Sequence, residues 1–176
     1  MHDNNPCSRI FVPTISAIGV IHTPFQHAKG TPIQSAVAEG AQGVVEVFAE
    51  FAAGLRDVAN FERLWLIYLL DRASAPQLIV RPYLDTEEHG IFATRSPARP
   101  NPIGISAVRL VGVDQNRLHV EDVDMLDGTP LLDIKPYIPA FDSFEGARAG
   151  WYQGKSMQGA VADDRFELHV PEISEA

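Results

Sequence analysis

The 176-residue chain has a single cysteine, Cys7, placed in the polar stretch Met1–Arg9. An intramolecular disulfide and a cysteine-based zinc site are both excluded, and a reducing compartment, the cytoplasm, is the expected location. No apolar run approaches the ~20 residues that span a bilayer. The N-terminal stretch has no basic region followed by an apolar one, so neither a membrane span nor a secretory signal is predicted. Positive charge is also scarce. Fourteen Lys and Arg stand against 23 Asp and Glu, a net charge of −9, so this chain does not coat nucleic acid through overall charge and would need a local basic patch.

Other absences narrow the chemistry. There is no βαβ alternation and no Gly-x-Gly-x-x-Gly after a strand, which argues against a Rossmann nucleotide site. His22, His27, His89 and His119 share no ligand spacing and no EF-hand pattern occurs, so no metal site is expected. Gly104-Ile105-Ser106 lacks the second glycine of a nucleophile elbow, which removes a serine nucleophile on that pattern. Internal repeats and low-complexity tracts are missing too.

What is present reads as many short strands with turn punctuation. The 45% hydrophobic content is enough for one core and one domain. Strands are predicted over Ile15–His22, Gly43–Phe48, Leu64–Leu70, Gln77–Pro82, Ser106–Val113, Arg117–Val123, Leu131–Tyr137 and Arg165–Val170. Asp114-Gln115-Asn116 is a hairpin turn and Asp127-Gly128-Thr129-Pro130 a second turn. The continuous apolar run around Trp65 predicts a central strand buried on both faces, with Trp65 in the core. Phe51, Leu55, Val58 and Ala59 predict a helix over Ala49–Phe61. The sum is a mainly β chain, a small antiparallel barrel or sandwich.

Two polar segments stand out. In Gly90–Gly104, the prolines Pro97, Pro100 and Pro102 fix φ and stiffen a loop that carries Arg95 and Arg99. A guanidinium held this way suits bidentate contact with a carboxylate or phosphate. The second segment, Asp122–Tyr137, holds four aspartates, Asp122, Asp124, Asp127 and Asp133.

Phe92-Ala93-Thr94-Arg95-Ser96-Pro97 with Arg99-Pro100-Asn101-Pro102-Ile103-Gly104, and Asp127-Gly128-Thr129-Pro130 with Asp133-Ile134-Lys135-Pro136-Tyr137, resemble the signatures of the TsaA-like (TrmO) family. The likeness runs from Ile18-Gly19-Val20-Ile21 to Asp142. It implies a non-Rossmann antiparallel β-barrel that binds S-adenosyl-L-methionine, acts as a homodimer and methylates N6 of threonylcarbamoyladenosine in tRNA. It further implies a cofactor site of Gln34, Ser35, Ala36, Val37, Asp71, Arg72, Phe92, Thr94, Arg95, Ile105, Asp122, Val123, Asp124 and Met125. Arg99 and Asn101 would meet the substrate. Asp127, Asp133, Lys135 and Tyr137 would carry catalysis, with Asp127 or Asp133 as base. Many bacterial members have a His where this chain has Asp71.

The expected organisation is a flexible segment 1–12, the family domain 13–142, and an extension 143–176 packed on that domain. A cofactor-binding regulator without transferase activity and a small-molecule methyltransferase are the alternative functions.

Overall fold

In a computed structural model that describes residues 14–167, the apolar run around Trp65 forms a strand whose residues alternate between buried and half-buried. That alternation is the period of a barrel wall, which has one interior face. Leu64, Leu66 and Tyr68 point inward. Trp65 is therefore not core: it faces outward and packs on Tyr137, with ring centroids 5.5 Å apart.

Among the described residues there are eight strands, β1 (Gly19–His22), β2 (Gln42–Val47), β3 (Arg63–Leu69), β4 (Ile79–Val80), β5 (His89–Gly90), β6 (Ile103–Asp114), β7 (Arg117–Glu121) and β8 (Thr129–Pro136). Six of them close an antiparallel barrel in the order β1-β2-β7-β6-β3-β8, and β4 and β5 form a separate ribbon. The mainly β class is thus what the chain adopts. β8 closes the ring by pairing with β1 on one side and β3 on the other. Ile21, Val45, Val47, Leu64, Leu66, Val108, Leu118, Val120 and Leu131 fill the interior.

The turn at Gln115-Asn116 joins β6 to β7 as the sequence predicts, with Gln115 in the left-handed region at φ 55°. The first predicted strand is shorter, because pairing starts only at Gly19. β4 likewise keeps only Ile79 and Val80 of its predicted span. Of the predicted Arg165–Val170 strand, Arg165 and Phe166 form a turn instead and Glu167 makes only an isolated bridge to Ala73; residues 168–170, and the segment 1–12 with Cys7, lie outside the described residues.

The predicted helix over Ala49–Phe61 is instead two 3₁₀ turns, Ala49–Leu55 and Val58–Asn60. Gly54 weakens a helix in the middle of this segment, and Asp57 breaks it with φ 66°. Leu55 and Val58 pack on the core, whereas Phe51 is 43% exposed. Among the described residues, no helix is long and apolar enough to cross a membrane.

Antiparallel closure sends three long connections to one end of the barrel. They are 23–41 between β1 and β2, 70–102 between β3 and β6, and 122–128 between β7 and β8. The opposite end carries the tight β6–β7 turn and the 3₁₀ segment. At the loop-rich end, Gly104 of β6 faces Tyr68 of β3 across the sheet. A Cβ on Gly104 would lie 2.2 Å from the Tyr68 ring, so the missing side chain is what lets that ring lie against the wall.

Gly104→Ala is expected to destabilise the fold by about 1–3 kcal/mol, the cost of overpacking a buried site. Urea denaturation checks this. Gly112→Ala on the same strand, where a Cβ would meet nothing within 4 Å, should cause no loss.

Candidate functional site

A cavity of about 290 Å³ opens at the loop-rich end, lined from all three long connections and from Ala162, Phe166 and Glu167. Its polar side chains come from different loops because the barrel ends deliver those loops to one place.

The proline loop is held by its own arginine. Arg99 donates from one guanidinium nitrogen to the carbonyls of Ile91, at 3.2 Å, and Thr94, at 2.9 Å. Its guanidinium carbon sits 5.9 Å from the Phe92 ring centroid. Thr94 Oγ1 donates to Ile91 O and accepts from the Ser96 amide. Prolines restrict φ, and these bonds fix the remaining freedom. Arg95, two residues after the Ile91–Ala93 turn, reaches Gln34 Oε1 instead and stays exposed at the cavity.

A C-terminal stretch braces the loop from outside. Trp151 stacks on His89, centroids 4.5 Å apart and 16° between planes, and its Nε1 donates to Ala93 O at 2.7 Å. Lys155 pairs with Asp85 at 3.1 Å.

The 122–126 stretch divides its residues by direction. Asp122, at φ 66°, accepts from the Gly40 amide and pairs with Arg63 at 2.9 Å, so it anchors the chain. Val123 and Met125 are core. Asp124 alone of these four acidic and apolar residues brings a charge to the cavity. Ser106 donates to Asp124 Oδ1 at 2.5 Å, and Ser106 and Tyr68 hydroxyls are 2.9 Å apart. Burial pushes the Asp124 carboxyl up to about 6, although the Ser106 hydroxyl, the Ser35 amide and the Arg95 charge pull the other way.

On the opposite wall, Arg72 donates to Asp127 O at 2.7 Å. Among the described residues its Nε is buried without a hydrogen-bond partner, a donor beside the cavity. Asp71 flanks it at 3.5 Å.

Of the residues expected at the cofactor site, the cavity wall includes Gln34, Asp71, Arg72, Thr94, Arg95, Ile105, Asp124 and Met125. Ser35, Ala36 and Val37 form a 3₁₀ turn behind Gln34, with the Ser35 amide acting on Asp124. Phe92 is 78% exposed and off the wall. Asn101 is also exposed and away from it, while Arg99 is on the wall but spends its donors on the loop.

The residues expected to be catalytic are elsewhere. Asp127 lends only its carbonyl to Arg72; its carboxylate accepts from the Thr23 amide and Gln26 and faces His22, and the Thr23 bond chiefly holds it below the usual carboxylate range. Asp133 pairs with Lys135 at 2.7 Å on the outer barrel wall, opposite Ile67 and Trp65. Tyr137 lies on Trp65. A register shift in β8 is the reason: Asp133 pairs with Ile67 and Leu131 with Tyr68, so one extra residue, Leu132, lies between them; Leu131 and Ile134 then both face the core, and Asp133 and Lys135 face out.

Sequence reading missed Tyr68 and considered Ser106 only as a nucleophile. The signal was available in the period of two: with Leu64 and Leu66 inward, the next inward residue, Tyr68, is polar. Its paired strand offers Ser106 on the same face. Among the described residues no group of three or more His, Cys, Asp or Glu could hold a metal ion.

Residues 20–143 match the family described as tRNA-methyltransferase O N-terminal domain. A Pyrococcus abyssi protein described as a probable S-adenosyl-L-methionine-binding protein is 53% identical over 151 residues, 85% of this chain and 82% of that protein. The Escherichia coli tRNA (adenine(37)-N6)-methyltransferase is 35% identical over 146 residues, 77% of this chain and 62% of the enzyme. The crystal structure of TrmO from Pseudomonas aeruginosa superposes with a TM-score of 0.68 at 36% identity, covering 80% of this chain and 63% of that one. This chain therefore spans under two thirds of the length of those last two proteins.

Replacing Arg99 with Ala should remove two charge-assisted bonds to main-chain carbonyls and destabilise the fold by about 1.5–3 kcal/mol. Thermal and urea unfolding would check it. Arg99→Lys should recover only part of the loss, because a point charge does not reproduce the planar fork.

Proposed function

Because the chain belongs to the tRNA-methyltransferase O N-terminal domain family, we propose that it is an S-adenosyl-L-methionine-dependent methyltransferase acting on N6 of threonylcarbamoyladenosine beside the anticodon of tRNA, in the cytoplasm. The observation that carries this reading is the composition of one cavity: the exposed Arg95 guanidinium, which meets Gln34, a buried Arg72 Nε donor and the Asp71 carboxylate, set among apolar walls. That set fits a zwitterionic nucleoside. When bound, S-adenosyl-L-methionine supplies a methyl carbon made electrophilic by its sulfonium.

The residues divide the work of holding it. Arg95 offers a fork for the amino-acid carboxylate, on a loop whose shape is set before binding, so little entropy is lost there. Arg72 Nε offers a donor that makes no hydrogen bond among the described residues, with Asp71 Oδ1 3.5 Å away. Leu70, Ile33 and Phe166 supply apolar surface that excludes water around the reacting groups.

The homodimer belongs to this proposal and is supported by the outer wall. Ile103 and Ile105 of β6 are 42% and 45% exposed, opposite the outward Leu69 and Ile67 of β3 and next to Trp65. A contiguous apolar face of this kind marks a protein contact. Ile103 and Ile105 also line the cavity, so a second copy seated there borders the site. Sedimentation at micromolar concentration should give twice the monomer mass, and Ile105→Glu should give the monomer.

Label from S-adenosyl-L-methionine is expected to enter tRNA that carries the threonylcarbamoyl group and not tRNA that lacks it. Binding of S-adenosyl-L-methionine without transfer to any tRNA would instead favour a cofactor-binding regulator, and transfer only to a small acceptor would favour a small-molecule methyltransferase. By calorimetry, Arg95→Ala should weaken S-adenosyl-L-methionine binding by about 1.5–3 kcal/mol, the scale of a hydrogen bond to a charged group.

A further inference from the structure

An N6 nitrogen that is already acylated is a poor nucleophile and must lose its proton during transfer. Neither carboxylate expected to take that proton reaches the cavity: Asp127 is bound by Thr23 and Gln26, and Asp133 by Lys135. Three carboxylates do line it, Asp71, Asp124 and Glu167. Asp71 is exposed and lies beside Arg72, and Glu167 accepts from the Ala28 amide. Asp124 is different, because it ends a hydrogen-bonded chain that penetrates an otherwise apolar barrel.

The chain has a defined direction. Ser106 donates its one hydroxyl proton to Asp124, so the Ser106 oxygen accepts from Tyr68 O–H. Tyr68 is held as the neutral phenol, its pKa raised by burial and by the Asp124 charge. Gly104 leaves the space in which its ring lies. Replacing both partners of a buried hydrogen bond by apolar groups of the same shape can be nearly neutral for stability, so stability alone gives little reason for such a chain.

We propose that Asp124 is the proton acceptor for methyl transfer, with Ser106 and Tyr68 as positioning residues that orient its carboxylate. This rests on the transferase reading above. In the step, the N6–H bond breaks and its proton passes to the Asp124 carboxylate. The electron pair left on nitrogen forms the bond to the methyl carbon of the sulfonium donor, and the pair of the sulfur–methyl bond returns to sulfur, leaving a thioether.

The surroundings suit that role. A carboxyl raised to about 6 by burial is a stronger base than an ordinary aspartate and is still mostly ionised at pH 7. The groups facing it are Tyr68 from β3, Ser106 from β6, the Ser35 amide from the loop after Pro32 and Arg95 from the proline loop. Asp71, Arg72, Arg99 and Glu167 occupy the rest of the cavity wall.

The test compares the full chain with Asp124→Asn and Ser106→Ala, using threonylcarbamoylated tRNA across pH 5–9, calorimetry with S-adenosyl-L-methionine, and urea unfolding against pH. Asp124→Asn should lower kcat at least 100-fold while the S-adenosyl-L-methionine Kd stays within threefold. In the wild type, the folded state holds the Asp124 proton more tightly than the unfolded chain, so this group makes stability fall as pH rises between about 4 and 6. Asp124→Asn should lose that slope. Ser106→Ala should keep the fold and move the acid limb of kcat to higher pH, since its hydroxyl holds the carboxyl down. An Asp124→Asn enzyme with kcat within fivefold of wild type would overturn the proposal and leave the transferase reading standing. A weaker S-adenosyl-L-methionine Kd with unchanged kcat at saturation would also overturn it, making Asp124 a cofactor-holding group. A wild-type protein that binds S-adenosyl-L-methionine but transfers nothing to the modified tRNA overturns the transferase reading and this assignment together.

Discussion

Closure of the barrel through β8 is the constraint from which most of the molecule follows. β8 pairs with β1 on one edge and β3 on the other, so the six-stranded ring has no free edge. A closed ring has one interior. Each strand can bury only alternate residues there, and antiparallel order sends the three long connections to the same end. The cavity is the space those connections leave above the last inward side chains, Tyr68 and Ser106. Its polar character follows from where the apolar filling of the barrel stops.

The two arginines of the proline loop divide holding from binding. Arg99 turns back onto the carbonyls of Ile91 and Thr94, and Arg95 is left to the cavity. A loop with three prolines loses little further freedom when these bonds form. Trp151 and Lys155 add support from a stretch far away in sequence, through Ala93 O and Asp85. A guanidinium presented by such a loop meets its ligand with few rotamers left to lose on the protein's side.

Much of this was legible from residues alone, and the failures have physical causes. The β class, the turn at Asp114-Gln115-Asn116 and the stiffness of the Gly90–Gly104 loop depend on local chemistry, and local chemistry is written in sequence. Trp65 was misplaced because an unbroken apolar run carries no period, so only the closed wall reveals that half of it faces outward. The helix over Ala49–Phe61 was misplaced because four apolar positions fit a helical stripe, while Gly54 and Asp57 permit a tighter, broken path. Asp133 and Lys135 stand in a family motif, yet their direction depends on the register of β8 against β3, which adjacency in sequence does not report. Tyr68, Ser106 and Asp124 come from three separate segments, 38 and 18 residues apart in successive links. Their union is a property of barrel closure.

The contact between Gly104 and Tyr68 ties two distant positions into a single unit. A side chain at 104 would occupy the volume of the Tyr68 ring, and a smaller residue at 68 would leave that volume empty and Ser106 without its donor. A change at either position alone carries a packing cost at the other, so the residues each can hold without strain are set by what stands across the sheet.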